Sequence, residues 1–454
     1  MSFHSRPLAR IALALSVLSL LPVASAARAA TDADLQRALE EISALKERVE
    51  QLERDRDDQR RAAVAAPRHD PAPAPEPESL LTKLGSTIDL YGFLRLDVVY
   101  DDSLPNDPQV IGYIRSEDPR SGNPSGKDDF TLYPRLTRFG LNLHAPKIPR
   151  LGPFDLTGKL EIDFYGSPAS DSRNQIRMRH AYLKLASHDW SILAGQTTDV
   201  ISPIYPAVNA DLVMWGAGNL GDRRPQLRVS YEPKLLGGQL KFQSEVGLTG
   251  ADAGEDLDSN GFLDGEYSGR PTVQTRIAYR GTTPLSAQPF EIGAWYHHAW
   301  EEIDAPINGR SHFQSQAAGG DLTLPFYGDV AWLKSEMWAG KNLDDVRGGI
   351  FQGVNTTTGR EISSWGGFVE VGVEPVEWNT LSLGFSWDDP DNGDLTDGNP
   401  SDNRARNQIV YLSNVLHYFD PLTIGFEYLR WTTHYVGLGQ GDDNRFKAYI
   451  SYGF

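Results

Sequence analysis

The chain has 454 residues, with 43 Lys and Arg against 61 Asp and Glu and a formal net charge of −18. That balance excludes nucleic acid as a partner, because phosphate contacts need a basic face. There is no cysteine, which removes disulfides, zinc–thiolate sites and a lipid-anchored N-terminus. Beyond the first thirty residues no stretch approaches the ~18 apolar residues of a transmembrane helix, so a membrane-inserted chain must cross with strands.

Residues 1–26 read as a secretory signal peptide. Arg6 and Arg10 give a basic start, Ile11 to Leu21 an apolar run, and Ala24-Ser25-Ala26 a cleavage signal, with Ala27-Arg28-Ala29 as a second option. Residues 27–55 carry a short periplasmic coiled coil. Leu35, Ile42 and Val49 fall at a, and Ala38, Leu45 and Leu52 at d, while Glu41 and Arg48 at g face Lys46 and Glu53 at e of a neighbour. A helix packed on its own chain shares this periodicity, but a spacer follows it rather than a turn. That spacer, residues 56–85, contains Pro67, Pro71, Pro73, Pro75 and Pro77 and is expected to be extended and semi-rigid.

From 86 to 454 the period changes to two. Leu90, Leu94, Leu96 and Val98 alternate with Asp89, Tyr91, Arg95 and Asp97; Leu160, Ile162 and Phe164 alternate with Lys159, Glu161 and Asp163. The pattern recurs at 138–143, 226–231, 381–385 and 446–454. Apolar outside and charged inside inverts the plan of a soluble barrel. The expected fold is all-β: a 16-stranded antiparallel transmembrane β-barrel preceded by a short N-terminal coiled-coil helix. Long connections at 101–129, 197–223, 251–270, 340–360 and 388–403 alternate with short ones. This is the outer-membrane rule, and it places lipid around the barrel and the N-terminal arm in the periplasm. Tyr91, Tyr100, Tyr133, Trp190, Trp300, Trp378, Trp431 and Tyr449 fall near strand ends and are expected in interfacial girdles.

Three stretches carry a family resemblance. Tyr91-Gly-Phe-Leu-Arg-Leu-Asp97 opens the barrel, Gly158-Lys-Leu-Glu-Ile-Asp-Phe-Tyr165 precedes Arg177-Met-Arg-His-Ala-Tyr182, and Gly340-Lys-Asn-Leu343 is followed by Gly348-Gly349. With the coiled coil before the barrel, they resemble the DcaP-like trimeric porins and, more distantly, the phosphate-selective porins. The resemblance implies a homotrimer, a third loop folded into each pore, and small organic anions such as dicarboxylates as solutes.

The inward parity carries Arg95, Arg138, Lys159, Arg228 and Arg276, opposed by Asp97, Glu161, Asp163, Glu245 and Glu427. The neighbours of Arg177 and Arg179 do not settle their direction; a lipid-facing Arg near the midplane costs roughly 2–4 kcal/mol, which argues for the inside. Two readings stand: a basic ladder that attracts carboxylates, or paired charges that stiffen the wall. The 197–223 loop holds Pro203-Ile-Tyr-Pro206 and Asp211-Leu-Val-Met-Trp215, too apolar for an exposed loop. Its Gly216-Ala-Gly218-Asn-Leu-Gly221 matches the dinucleotide fingerprint without the helix that one requires, and the glycines are read as backbone flexibility. Asp256, Asp258, Asn260 and Asp264 stand at positions 1, 3, 5 and 9 of a turn with Gly261 at 6, the spacing that wraps a hard cation. Tyr267 occupies the place of the usual final Glu, so calcium and a solvated acidic loop both remain open. No G-x-S-x-G or H-E-x-x-H occurs, and no enzyme is expected. The expected role is a water-filled channel for small hydrophilic solutes. The rival is a plugged barrel that tethers the outer membrane to the cell wall through its N-terminal arm.

Overall fold

The computed structural model describes residues 85–454 apart from 124–125, 149, 151, 167–173, 250–255, 329, 397–402 and 420, together with 46, 48, 51 and 80–81. The signal peptide, most of the linker and the coiled coil lie outside the described residues, save Lys46, Arg48 and Gln51, which are helical.

Sixteen antiparallel strands follow in chain order: β1 (Thr87–Asp101), β2 (Asp129–Tyr133 continued by Arg138–His144), β3 (Asp155–Asp163), β4 (Arg177–Ser187), β5 (Trp190–Thr198), β6 (Arg223–Tyr231), β7 (Gly238–Gly247), β8 (Thr272–Thr283), β9 (Ser286–Ile307), β10 (Arg310–Phe326), β11 (Ala331–Lys341), β12 (Ser363–Val376), β13 (Asn379–Pro390), β14 (Arg404–Phe419), β15 (Leu422–Tyr435) and β16 (Gly441–Gly453). Each pairs with its neighbours in sequence, and β16 returns to β1 through Phe93↔Gly453 to Asp101↔Arg445. Gly92 and Phe454 exchange backbone hydrogen bonds beyond that ladder at 3.1 Å each. The sheet therefore has no free edge, the condition for strands in hydrocarbon.

Alternation decides which side chains face outward and which face the lumen. Leu94, Phe139, Leu183, Ile277, Leu383, Phe426 and Ile450 point out of the barrel and are exposed. Their neighbours Asp97, Glu161, Gln226, Asp321, Glu336 and Lys447 point inward and are buried. Trp190 stacks on Tyr231 at 4.3 Å beside the Ser187–Trp190 turn, Trp378 is exposed at the β12–β13 turn, and Tyr100 packs on Phe446 at 6.5 Å near the other rim. These form the expected girdles. Tyr133 and Trp431 do not: both are buried inside the barrel. Tyr91 and Tyr449 also face the lumen, the first bonded to Glu161 at 2.7 Å and the second beneath Arg95. Their parity, which is that of the charged residues, outweighs their position near strand ends.

Long and short connections alternate over most of the barrel as the sequence implies, and the clearest departure lies between β9 and β10. β9 has 22 residues and β10 has 17, joined by the tight turn Asn308-Gly309, whose φ values of 48° and 81° suit a two-residue hairpin. Here the strands themselves project where a long loop would stand.

The outward band is exposed and apolar, as contact with hydrocarbon requires, so in a bilayer Leu383→Arg should destabilise the folded barrel by roughly 2–4 kcal/mol. The check is the midpoint shift in denaturant-driven unfolding from phospholipid vesicles.

Candidate functional site in the barrel lumen

The loop after β5, residues 199–222, folds back inside the barrel, and the inner wall is built to receive it. Glu336 on β11, Glu370 on β12 and Glu427 on β15 are buried. They accept backbone N–H groups from Ile204 at 2.7 Å, Ala207 at 2.6 Å and Asn209 at 2.9 Å. Ser202 also donates to Glu336. Charge-assisted bonds of this kind are about twice as strong as neutral ones, and here they satisfy loop N–H groups that no strand partner reaches. Further along, Asp211 bonds to Lys447 of β16 and accepts from the Tyr165 hydroxyl. Burial alone would raise the Asp211 carboxyl, but Lys447 more than offsets it and holds it below the usual carboxylate range. The loop thus crosses from β11 to β16 on ionic anchors.

Apolar contacts complete the seat. Val200, Ile201 and Leu220 pack on Trp295, Ala317 and Trp338 of β9, β10 and β11. Val208, Met214 and Ala217 pack on Ile409, Tyr411, Leu429 and Trp431 of β14 and β15, together with Ile111 and Ile114 from the loop after β1. Gly216 and Gly218 serve close approach to neighbouring elements. A Cβ on Gly216 would meet the Phe351 ring at 2.3 Å, and one on Gly218, with φ +118°, would meet the Gly367 carbonyl oxygen at 2.4 Å. No helix follows them, and the next element is strand β6.

The opposite wall is basic. Two β-bulges aim its charges, as bulges commonly do. On β2 the ladder breaks at Pro134, which has no N–H to give, and the Thr137 hydroxyl fills the gap by accepting from Arg95 N at 3.0 Å and donating to Arg95 O at 3.2 Å. Arg135 thereby turns inward over the Tyr165 ring at 4.3 Å. On β4 the register slips between Glu161↔His180 and Ile162↔Met178, leaving Arg179 as the extra residue. Arg177 and Arg179 therefore face inward on one side of the slip, and His180 and Tyr182 on the other. This explains why the neighbouring residues could not fix the direction of Arg177 and Arg179.

Four cations of that wall share two carboxylates. Arg138, Lys159 and Arg179 lie 3.4, 3.7 and 2.7 Å from Glu161, while Arg177 and Arg179 lie 2.6 and 2.8 Å from Asp163. Arg223, at the start of β6, adds a fifth. It lies over the Trp215 ring of the inner loop at 5.6 Å, within electrostatic reach of Arg177, Arg179 and Tyr205, and has no ion pair among the described residues. The nearest loop carboxylate, Asp222, pairs with Arg347 at 3.1 Å; burial would raise it, but the Arg347 and Arg223 charges keep it low. Solvent reaches the side chains of Lys159 and Arg177, which keep 27% and 26% exposure.

The remaining sequence candidates are held differently. Arg95 is clasped by Asp97 at 2.7 Å and lies 3.6 Å from the Tyr449 ring. Arg228 pairs with Glu245 at 2.9 Å. Arg276 is only 2% exposed, bound to Asp321 at 2.5 Å and Glu291 at 2.7 Å, so it knits β8 to β9 and β10. Away from the lumen, Asp256, Asp258 and Asp264 converge in the loop after β7. Asn260 turns its amide to Asp304 at 3.3 Å and accepts from Phe262 N at 2.8 Å.

Sequence reasoning missed Arg135, Arg223, Glu336 and Glu370. Glu336 is hidden because its inward neighbours Trp332 and Trp338 are as apolar as the outward Leu333 and Met337, which erases the alternation. Arg223 precedes the regular part of its strand, where parity gives no direction.

Comparison with solved structures places this architecture. The outer membrane channel DcaP of Acinetobacter baumannii superposes with a TM-score of 0.64 at 19% identity, covering 83% of this chain and 99% of that one. The fold is that of the outer-membrane porins. Salmonella typhi OmpF in complex with daunomycin matches at TM-score 0.53 and 13% identity, over 82% of this chain and 99% of that chain. An anion-selective porin from Comamonas acidovorans matches at 0.51 and 12%, over 81% and 100%. No family model and no curated protein sequence matches the chain.

The inner loop fills part of the lumen, so its anchors set how far the lumen is narrowed. Replacing Glu336, Glu370 and Glu427 together by Ala should release the 204–209 segment from the wall. Single-channel recordings are expected to show a larger, noisier conductance while the barrel keeps its heat-modifiable mobility on gels.

Proposed function

We propose that the protein is an outer-membrane porin: a water-filled channel for small hydrophilic solutes, selective for small organic anions such as dicarboxylates, and assembled as a homotrimer. The observation that carries the anion preference is the basic wall, where Arg138, Lys159, Arg177, Arg179 and Arg223 outnumber Glu161 and Asp163 opposite the inner loop. A chain of net charge −18 is compatible with this. Loop charges more than a Debye length from the aperture, ~8 Å at physiological salt, are largely screened, whereas ions are sorted where the passage is narrowest. Guanidinium groups offer paired donors to a carboxylate, and Arg223 has no ion pair among the described residues. The trimer rests on the sequence resemblance. Both ends of the barrel chain fall at the rim with the short turns, which supports a periplasmic N-terminal arm in reach of the cell wall.

The test is the reversal potential of the reconstituted channel in a salt gradient. The native protein should be anion-selective, with conductance rising in steps of three. Arg223→Glu combined with Lys159→Glu should move the potential toward cations and weaken block by dicarboxylates several-fold. Arg276→Gln should leave selectivity nearly unchanged and instead lower the unfolding temperature, because it strands Asp321 without its partner. A cation-selective native channel, or a larger selectivity change from Arg276→Gln than from the double variant, rejects this assignment of the filter.

A further inference from the structure

The loop after β7 holds a second feature, remote from the ion path. We propose that Asp256, Asp258 and Asp264 bind one calcium ion, which clips this loop to the projecting end of β9. One carboxylate oxygen of each of these residues lies within 4.8 Å of the others. Oxygens this close can share one calcium ion, whose bonds are ~2.3–2.6 Å long and whose coordination is flexible, whereas magnesium demands near-ideal octahedral geometry and gives up its waters reluctantly.

Three acidic side chains by themselves are an ordinary surface feature, and Asp264 is what makes this a site. Asp264 is 0% exposed, one carboxylate oxygen accepts from Leu257 N at 3.0 Å, and the other, Oδ1, is buried with no hydrogen-bond partner among the described residues. A buried carboxylate oxygen without a donor is costly, and two further carboxylates beside it raise that cost. A divalent cation supplies the missing partner and neutralises the repulsion in one step.

The other two acids are already oriented. Asp256 accepts from Asn260 N at 2.9 Å and Gly261 N at 2.8 Å. Asp258 accepts from Asp304 N at 2.6 Å and Ala305 N at 2.8 Å, both on the far end of β9. Tyr267, from the single helical turn Asp264–Tyr267, donates to Asp304 at 2.6 Å. Thus two of the three ligands reach across the gap between the loop and the β9–β10 hairpin, directly or through the turn that begins at Asp264. An ion here joins two parts of the rim that the barrel ladder leaves separate. With three carboxylates and no bidentate Glu at the twelfth position, the affinity should fall in the range of extracellular modules, with Kd ~10⁻⁴–10⁻³ M.

The experiment uses the full-length protein in detergent, stripped with EDTA and titrated with calcium chloride by calorimetry. The expected result is one saturable site per chain, not filled by magnesium chloride at the same concentrations. Asp258→Asn and Asp264→Asn should each weaken it at least ten-fold, while Glu302→Gln leaves it unchanged. Heat-modifiable gel mobility reports whether each barrel is folded; if Asp264→Asn fails to fold, the partly exposed Asp258 decides the matter. Calcium should also slow protease cleavage within 256–264 in the native protein and not in Asp258→Asn. Absence of saturable calcium binding, equal filling by magnesium, or unchanged affinity in Asp258→Asn overturns the proposal.

Discussion

Everything in this structure depends on one requirement: in hydrocarbon, a strand must find partners for all its backbone N–H and C=O groups within the protein. The ladder between Phe93–Asp101 and Arg445–Gly453 meets it by closing the sheet. Closure imposes two faces on every strand, and the period of two along the chain then assigns each side chain to lipid or lumen. Even the gap at Pro134 obeys the rule, since the Thr137 hydroxyl serves both backbone groups of Arg95 that the proline region leaves unpaired.

The lumen is divided into two unlike walls. From β9 to β16 the inner surface carries Trp295, Trp338, Tyr411 and Trp431 together with Glu336, Glu370 and Glu427, and this wall is occupied by the chain's own loop. Buried carboxylates are costly alone, yet each here meets N–H groups of a loop that has no strand to pair with, so two deficits cancel. From β2 to β6 the surface is basic and partly solvated. The inner loop presents Tyr205 and Trp215 toward it, so the aperture has an aromatic side and a cationic side.

The long loops are tied to one another by equally specific contacts. Asn407 donates from its amide to Gly112 O at 2.8 Å and Gly216 O at 2.7 Å, linking the loops after β1 and β5. Arg224 joins Asp199 at 2.8 Å to Asp345 at 3.0 Å, linking the loops after β5 and β11. Such fully buried pairs add little net stability over apolar packing, but removing one partner strands the other, and they therefore hold one geometry. The loop after β7 bonds instead to β9, and its acidic turn is where an ion would add to that tie.

The barrel, its strand number, the inward set Arg95, Arg138, Lys159, Asp97, Glu161 and Asp163, and the return of the apolar 197–223 loop were all legible in the sequence. Each follows from local alternation or from apolar residues in a segment too irregular to be a strand, and a linear chain displays both. Three things were decided only by the tertiary structure. The direction of Arg177 and Arg179 depends on a bulge, which is a mismatch between two strands and leaves no mark on either one. The separation of Arg276, sealed by Asp321 and Glu291, from Arg223, which has no ion pair among the described residues, depends on which carboxylates neighbouring strands bring opposite. The position of Tyr133 and Trp431 inside the barrel depends on the loops that cover them. Parity tells a residue which face it occupies, but register and loop packing, which involve residues tens to hundreds of positions apart, determine what it meets there.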